Sequence, residues 1–568
     1  MEKWAFCHGR RTLESKAKEK VIDGELFERI VVAGAYNLKA HIDTVNELNV
    51  FPIPDGDTGD NMFMTINGGL SGLKSVKENS VCLKAKALAD GMLLNARGNS
   101  GVILSQLFSG LANGLTDLET VDVKRFGEAL KLGVKQAYSA VLKPVEGTML
   151  TVAREAAEYG VAHSDVTLGV FFNGFVKEMK ASLDNTPNLL ATLKEAGVID
   201  SGGAGLLYIT EGMQKAVDGS ELDEIAVAED ENQGSKELDF SLFTEDSQMQ
   251  FGYCTEFLLR LQNSKVNAKE FDISPIVDFL NTVGDSIVAF KTGTIVKVHV
   301  HTMTPAKVIE FCQQFGEFLT IKMENMTLQH NETTENEEIK PKRKKVNRTK
   351  FSVVTVATGK GLIDTFSEFG ADVVIDGGQG KNPSIERFIE AFDDANADHI
   401  FVLPNNSNII MAAKQAAGIY NKSTIHVVET KNFGQAYSIL SMLDFSADDP
   451  EVIKENMFSD MASVTTGMIT SSIRDANIDG VEIEKGQYIG FTDKIMQVSA
   501  NDKVTAFTEL AKKLDAESKE FMIAVYGKDV NEAEKQAVRE YVANNYGLLE
   551  FYELDGEQDV YDFIMILE

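Results

Sequence analysis

The sequence predicts a multidomain protein: an all-helical domain, then a small α+β module, then a C-terminal α/β domain. Three observations predict it. Residues 24–217 carry apolar residues at helical spacing and almost no strand signal. Residues 250–328 mix short β-rich runs with helical ones. From residue 351 buried strands and helices alternate, the pattern of a parallel sheet with helices on both faces. The length of 568 residues fits three or four domains of ordinary size. A hydrophobic content of 43% with 25% charged residues is that of a soluble globular chain. The formal net charge of −31 argues against general affinity for nucleic acid or anionic membranes. Cys7, Cys82, Cys254 and Cys312 are few and widely spaced, so a disulfide framework is not expected and a reducing cytoplasm is. Residues 1–20 are charged and lack an apolar run, so no signal peptide is expected, and no stretch is apolar for long enough to cross a bilayer.

In chain order, residues 1–23 read as a polar, irregular extension. Phe27–Asn37 and His41–Leu48 have helical spacing, as do Met62–Leu73 and Cys82–Asn95. Between the second and third of these runs lies Asn49-Val50-Phe51-Pro52-Ile53-Pro54-Asp55-Gly56-Asp57-Thr58-Gly59-Asp60-Asn61-Met62. Asp55 and Asp57 flank Gly56, a spacing that aims two carboxylates at one point, where a hard cation such as Mg²⁺ binds. The loop leads into a helix N-terminus, where free N–H groups and the dipole favour phosphate. The alternative is an ordinary turn with an ordinary N-cap. An EF-hand does not fit, because the twelfth position counted from Asp55 is Ile66.

Arg97-Gly98-Asn99-Ser100-Gly101 opens an apolar helix and reads either as a second phosphate-contacting turn or as a tight helix corner. Helical patterns continue at Phe126–Leu142, Met149–Tyr159, Val166–Leu183 and Leu189–Glu195. Lys143-Pro144-Val145-Glu146-Gly147-Thr148 and Asn185-Thr186-Pro187-Asn188 punctuate them. Asp200-Ser201-Gly202-Gly203-Ala204-Gly205 leads into a last helix ending near Val217.

These motifs, in this order, resemble the nucleotide-binding domain of dihydroxyacetone kinases, and within that group the ATP-binding subunits of bacterial fatty acid kinases. The likeness covers roughly the whole chain. It implies a DhaL-like eight-helix barrel over residues 24–217, whose loops hold ATP through two Mg²⁺ ions. Carried over by position, Asp55 and Asp57 are the Mg²⁺ ligands. The dihydroxyacetone enzymes have a third aspartate upstream, and here the nearest residue is Asn49, a weaker Mg²⁺ ligand than a carboxylate. Thr58, Gly59 and Asn61 are implied phosphate contacts, with Asn99, Ser100 and Gly101 from the second loop. Gly147, Thr148 and Met149 are implied to line the adenine pocket, and Asp200, Ser201 and Gly202 to close the nucleotide site. Arg97 either stabilises transition-state charge or forms a structural ion pair.

Residues 218–249 are acidic and read as a linker. In the middle module, residues 252–261, 285–290, 294–301 and 319–326 read as strands, and 271–282 and 311–318 as helices. His299 and His301 share a strand face. With Cys254 on a neighbouring strand they form either a Zn²⁺ cluster with one open position or an ordinary surface pair. The resemblance implies a bound metal there. Residues 329–350 are charged and read as a linker or as a basic docking patch.

Residues 351–568 begin with a buried strand and the turn Thr358-Gly359-Lys360-Gly361, which suits an anion but lacks P-loop spacing. Gly377-Gly378-Gln379-Gly380 and Pro404-Asn405-Asn406-Ser407-Asn408 fall at strand C-termini, where open α/β sheets place sites. By resemblance this domain has the fold of the fatty-acid-binding partner protein and serves assembly and docking. The expected function is an ATP-dependent phosphotransferase with a carboxylate acceptor: a fatty acid on a carrier protein, converted to acyl phosphate for phospholipid synthesis. A cytoplasmic homodimer is the expected form. The alternatives are a dihydroxyacetone-type small-metabolite kinase and a non-catalytic nucleotide-binding scaffold.

Overall fold

The computed structural model describes residues 20–49, 56–141, 143–219, 253–268, 271–292, 294–325 and 348–568, apart from 379, 473–474 and 493–494. The chain divides into two compact units. One joins Met1–Glu229 with Lys345–Glu568, and the other is Asp230–Lys344. The N-terminal extension up to residue 19 and the greater part of both linkers lie outside the described residues.

Among the described residues the helical part of the first unit has eight long helices: Gly24–Lys39, Thr58–Leu73, Val81–Leu94, Gly98–Gly114, Val123–Ala140, Met149–Ala162, Leu168–Leu189 and Ser201–Asp218. Ile42–Leu48 and Ala191–Ala196 are short additions. From Thr58–Leu73 onward each long helix packs on the next, and the last packs on the first. Their shared interior is apolar, with Phe27, Phe126, Phe171 and Phe172 almost fully buried. Phe126 meets Phe171 edge-on at 6.3 Å, and Phe171 stacks on Phe175 at 5.6 Å. Burial of each such ring contributes about 1.5–3 kcal/mol.

Two local expectations are corrected. Helix Leu168–Leu189 runs through Pro187, where a break was expected. Proline removes the N–H that the Leu183 carbonyl would accept. The Thr186 hydroxyl donates to that carbonyl instead, at 2.7 Å, so the last turn closes without the proline donor. At the N-terminus Val21–Ile22 pairs antiparallel with Val121–Asp122, and Asp23 caps the first helix by accepting from the Leu26 N–H at 2.8 Å. The end of the expected extension is thus part of the fold.

The second unit is a four-stranded antiparallel sheet in the order Gly284–Thr292, Ile295–Thr302, Tyr253–Leu261, Gly316–Asn325. Helices Ser274–Val283 and Pro305–Gln313 accompany it. The helix expected over 311–318 ends at Gln313, and strand begins at Gly316. A Cβ at Gly316 would lie 2.1 Å from the Arg260 carbonyl oxygen, so glycine is what lets that strand start there. Phe257, Leu259, Val296, Val298, Val300 and Cys312 build the core, and burial pushes the Cys312 thiol up to about 12.

The C-terminal half opens with a four-stranded parallel sheet, as its alternating pattern predicts. Thr349–Ala357 lies between Val373–Asp376 and Ala397–Leu403, with Thr424–Val427 outside. The remainder departs from a simple parallel sheet. Six strands from Thr465–Ser471 to Phe563–Leu567 form a second, mixed sheet whose one parallel pair is Phe521–Tyr526 with Glu550–Asp555. The Thr358-Gly359-Lys360-Gly361 turn is not an open anion cradle. Gly359 sits at φ +89°, the Leu362 N–H is donated to the Gly556 carbonyl at 3.3 Å, and a Cβ at Gly361 would strike the Asp555 carbonyl. Backbone of residues 555–558 fills the space instead.

Within this unit the α/β half is built onto the helical half. Ala96 and Val102 are fully buried in one cluster with Ile385, Phe388, Ile409 and Ala412. The Ile385 N–H donates to the Ala96 carbonyl at 3.3 Å. No helix among the described residues is long and apolar enough to cross a membrane.

Candidate active site

The loop after Ile42–Leu48 delivers the chain into helix Thr58–Leu73, four residues earlier than its apolar spacing suggests. That shift makes Asp57 the N-cap residue. An aspartate there ordinarily accepts from an N–H of the first turn, but Asp57 makes no such bond. Asn46 does the capping. Its Oδ1 accepts from the Gly59 N–H at 2.7 Å, and its Nδ2 donates to Asp60 Oδ2 at 2.7 Å. The Asp57 carboxylate is thereby released from the helix end, and the ordinary N-cap reading does not hold.

Asp57 is only 6% exposed. Burial raises its carboxyl above the ordinary aspartate range, hydrogen bonds from the Asn61 and Asn382 amides oppose the rise, and the charge of Asp60 adds to it. Asn382 Nδ2 donates to Asp57 Oδ2 at 2.6 Å, and Asn49 Nδ2 lies 3.5 Å from Asp57 Oδ1. A buried carboxylate wrapped by neutral amides and near a second carboxylate is a setting that a cation would balance. Asp55 lies outside the described residues.

The four motifs meet at this point. Gly98, at φ +57°, faces Asn61: a Cβ there would lie 2.6 Å from Asn61 Nδ2 and 3.2 Å from Asn382 Nδ2. Gly101 packs on Asn61 and Thr65, and the Arg97 N–H donates to Thr65 Oγ1 at 3.4 Å. Asn99 and Ser100 stand in the first turn of helix Gly98–Gly114, whose N–H groups have no acceptor within the helix. Arg97 is half-buried, and its enclosed Nε has no partner among the described residues. Desolvation lowers the affinity of its guanidinium for the proton. Among the described residues it forms no ion pair.

The fourth motif joins the first, and the third joins the fourth. Gly147, at φ +82°, donates its N–H to Thr151 Oγ1 at 2.8 Å, and Thr148 caps helix Met149–Ala162. Gly202 packs on Met149. The Ser201 hydroxyl donates to Thr58 Oγ1 at 3.4 Å, which joins the fourth motif to the first. Asp200 caps helix Ser201–Asp218 through the Gly203 N–H at 2.7 Å, and desolvation pushes its carboxyl up to about 6 against hydrogen bonds from Gly203 and Met149.

Two contributors were not picked out from sequence as part of this site. Asn382 and Asn408 come from the α/β half, and Asn408 Oδ1 accepts from Asn99 Nδ2 at 3.0 Å. Their loops carry glycine- and asparagine-rich turns at strand ends, the one signal available. Thr358, Gly377, Asn405, Asn408 and Gln558 line a cavity of about 100 Å³ within the α/β half. In the second unit Cys254 pairs with His301 in the strand register, and His299 lies two residues before His301. The side chains of these three residues are outside the described set.

Residues 52–215 match the family described as the DAK2 domain. Residues 250–333 and 352–568 match the FakA-like middle and C-terminal domains of fatty acid kinase. Protein YloV of Bacillus subtilis is 37% identical over 97% of this chain and 100% of its own length. An uncharacterized protein of Staphylococcus aureus is 36% identical over 96% of this chain and 99% of its own. Among solved structures, DegV, a fatty acid binding protein from Bacillus subtilis, aligns with 39% of this chain and 98% of its own, at 13% identity and a TM-score of 0.30.

Proposed function

This chain belongs to the FakA-like family of fatty acid kinase proteins, and on that premise we propose that it is the ATP-binding, phosphoryl-transferring subunit of a fatty acid kinase. The observation that carries the reading is the Asp57 carboxylate, freed from its capping role at the point where four loops meet. The closed order of the eight long helices supports a barrel with these loops at one end.

Asp57, with Asp55 and Asn49, would hold two Mg²⁺ ions, which when bound neutralise charge on the phosphates. The buried, amide-wrapped carboxylate fits that cation. Thr58, Gly59 and Asn61 from the first loop, with Asn99, Ser100 and Gly101 from the second, offer N–H, O–H and amide donors to phosphate oxygens. Arg97, whose Nε has no partner among the described residues, would take charge that develops on the transferring group. Gly147, Thr148 and Met149 line the adenine side, and Asp200, Ser201 and Gly202 close the site by tying their loop to Thr58 and Met149.

The acceptor is a fatty acid carboxylate presented by a separate fatty-acid-binding carrier. It is ionised at neutral pH, so no general base is required. One carboxylate oxygen forms a bond to the γ-phosphorus as the bridging P–O bond to ADP breaks, giving acyl phosphate for phospholipid synthesis. The assembly is a cytoplasmic homodimer. The register that sets Cys254 opposite His301 supports a Zn²⁺ site in the middle domain.

The test is ATP consumption by the full chain with Mg²⁺ and oleate, alone and with a candidate carrier, using hydroxylamine to trap acyl phosphate. Carrier-dependent hydroxamate that disappears with Asp57→Ala is the expected result. Phosphorylation of dihydroxyacetone without hydroxamate would return the protein to the small-metabolite kinases, and nucleotide binding without turnover of any acceptor would make it a scaffold.

A further inference from the structure

We propose that Asn382, carried by the α/β half, is the positioning residue of Asp57, so that the metal site of the helical half is complete only when the C-terminal domain is docked. The inference rests on the kinase reading above. Asn382 lies in the connection between strand Val373–Asp376 and helix Ile385–Ala395 and is 3% exposed. Its Nδ2 holds one oxygen of Asp57, Oδ2, at 2.6 Å. The other oxygen, Oδ1, has the longer 3.5 Å contact with Asn49 Nδ2. The Asn61 amide also bonds this carboxylate, and a carboxylate held from outside by amides is the arrangement in which outer partners orient a metal ligand.

Two further observations point the same way. Among the described residues the buried Asn382 Oδ1 has no partner, so what they show the amide doing is its Nδ2 bond to Asp57. Gly98, the glycine of the second loop, leaves no room for a Cβ beside Asn382 and Asn61, and both amides close on Asp57 through that gap. Adhesion of the two halves is supplied elsewhere, by the apolar cluster of Ala96, Val102, Ile385 and Phe388. Asn382 is thus separable from the packing that surrounds it.

The experiment uses the full chain, Mn²⁺ in place of Mg²⁺, and a non-hydrolysable ATP analogue, with free Mn²⁺ read by electron paramagnetic resonance. Asn382→Ala is expected to weaken Mn²⁺ binding in the ternary complex by about 10-fold or more, the effect usual for loss of an outer-shell partner. Ile385→Val trims the same interface without touching Asp57 and is expected to leave Mn²⁺ affinity within about twofold. Equal affinity in Asn382→Ala and wild type overturns the proposal. Tighter binding in Asn382→Ala also overturns it, by making the amide a competitor of the cation. An equal loss in Ile385→Val and Asn382→Ala reduces Asn382 to interface packing and overturns it too. Failure of the wild-type chain to bind Mn²⁺ with the nucleotide overturns the kinase reading itself.

Discussion

Replacing Asp200 with asparagine should change how stability depends on pH. In the folded chain the Asp200 carboxyl titrates at about 6 because desolvation disfavours its charge. In the unfolded chain it titrates near 3.9. Between those values the folded state keeps a proton that the unfolded state has lost. Stability therefore falls as pH rises from about 4 to about 6 and stays level above that, as far as this group is concerned. The whole effect is about 3 kcal/mol at 1.36 kcal/mol per pH unit. Asparagine caps a helix about as well as aspartate and does not titrate. Hence the unfolding free energy of Asp200→Asn, relative to wild type, should climb by about 2 kcal/mol between pH 4 and pH 7, the rest of the effect lying below pH 4. Urea unfolding of both proteins across that range, without nucleotide, measures the difference directly. Curves that stay parallel would mean that Asp200 is not desolvated in the fold, and the account of its environment would fail.

Arg97→Ala should lower kcat/KM for ATP-dependent acyl phosphate formation on the order of 10²–10³-fold. Because the buried Arg97 Nε has no partner among the described residues, the thermal midpoint should not fall with it. Thr186→Val should destabilise the helical part by about 1–3 kcal/mol, since it strips a donor from the Leu183 carbonyl and an acceptor from the Asp200 N–H. Thr186→Ser should restore most of that loss in the same denaturation assay. Cys254→Ser should reduce the zinc content of chelator-free protein, measured by mass spectrometry of the metal, and an unchanged content would remove Cys254 from the ligand set.

The parts of the fold visible in the sequence are those set by local periodicity. Runs such as Val123–Ala140 and the strand Thr349–Ala357 declare themselves by which residues they bury. Helix starts were less legible. The first turn of Thr58–Leu73 contains Thr58, Gly59 and Asp60, whose propensities favour turns, and it is held by Asn46 from the preceding helix. Pro187 misled for a related reason, because the compensating donor is a threonine side chain beside it. At the site, the turns around Asp57 and around Gly101 were legible as motifs because glycines and polar side chains cluster there within a few residues. Asn382 and Asn408 were not. They reach the site from 325 and 309 residues away in the chain, and no spacing rule spans that distance.

That separation also sets a schedule for synthesis. Ala96 and Val102 end up inside a core whose other members, such as Ile385 and Ala412, are translated far later. At about 5–20 residues per second, the 325 residues between Asp57 and Asn382 take about 15–65 seconds to make. Through that interval the newborn helical half shows the ribosome's surroundings an apolar face and an uncovered carboxylate. Transiently exposed apolar surface of this kind is the physical setting in which chaperones act.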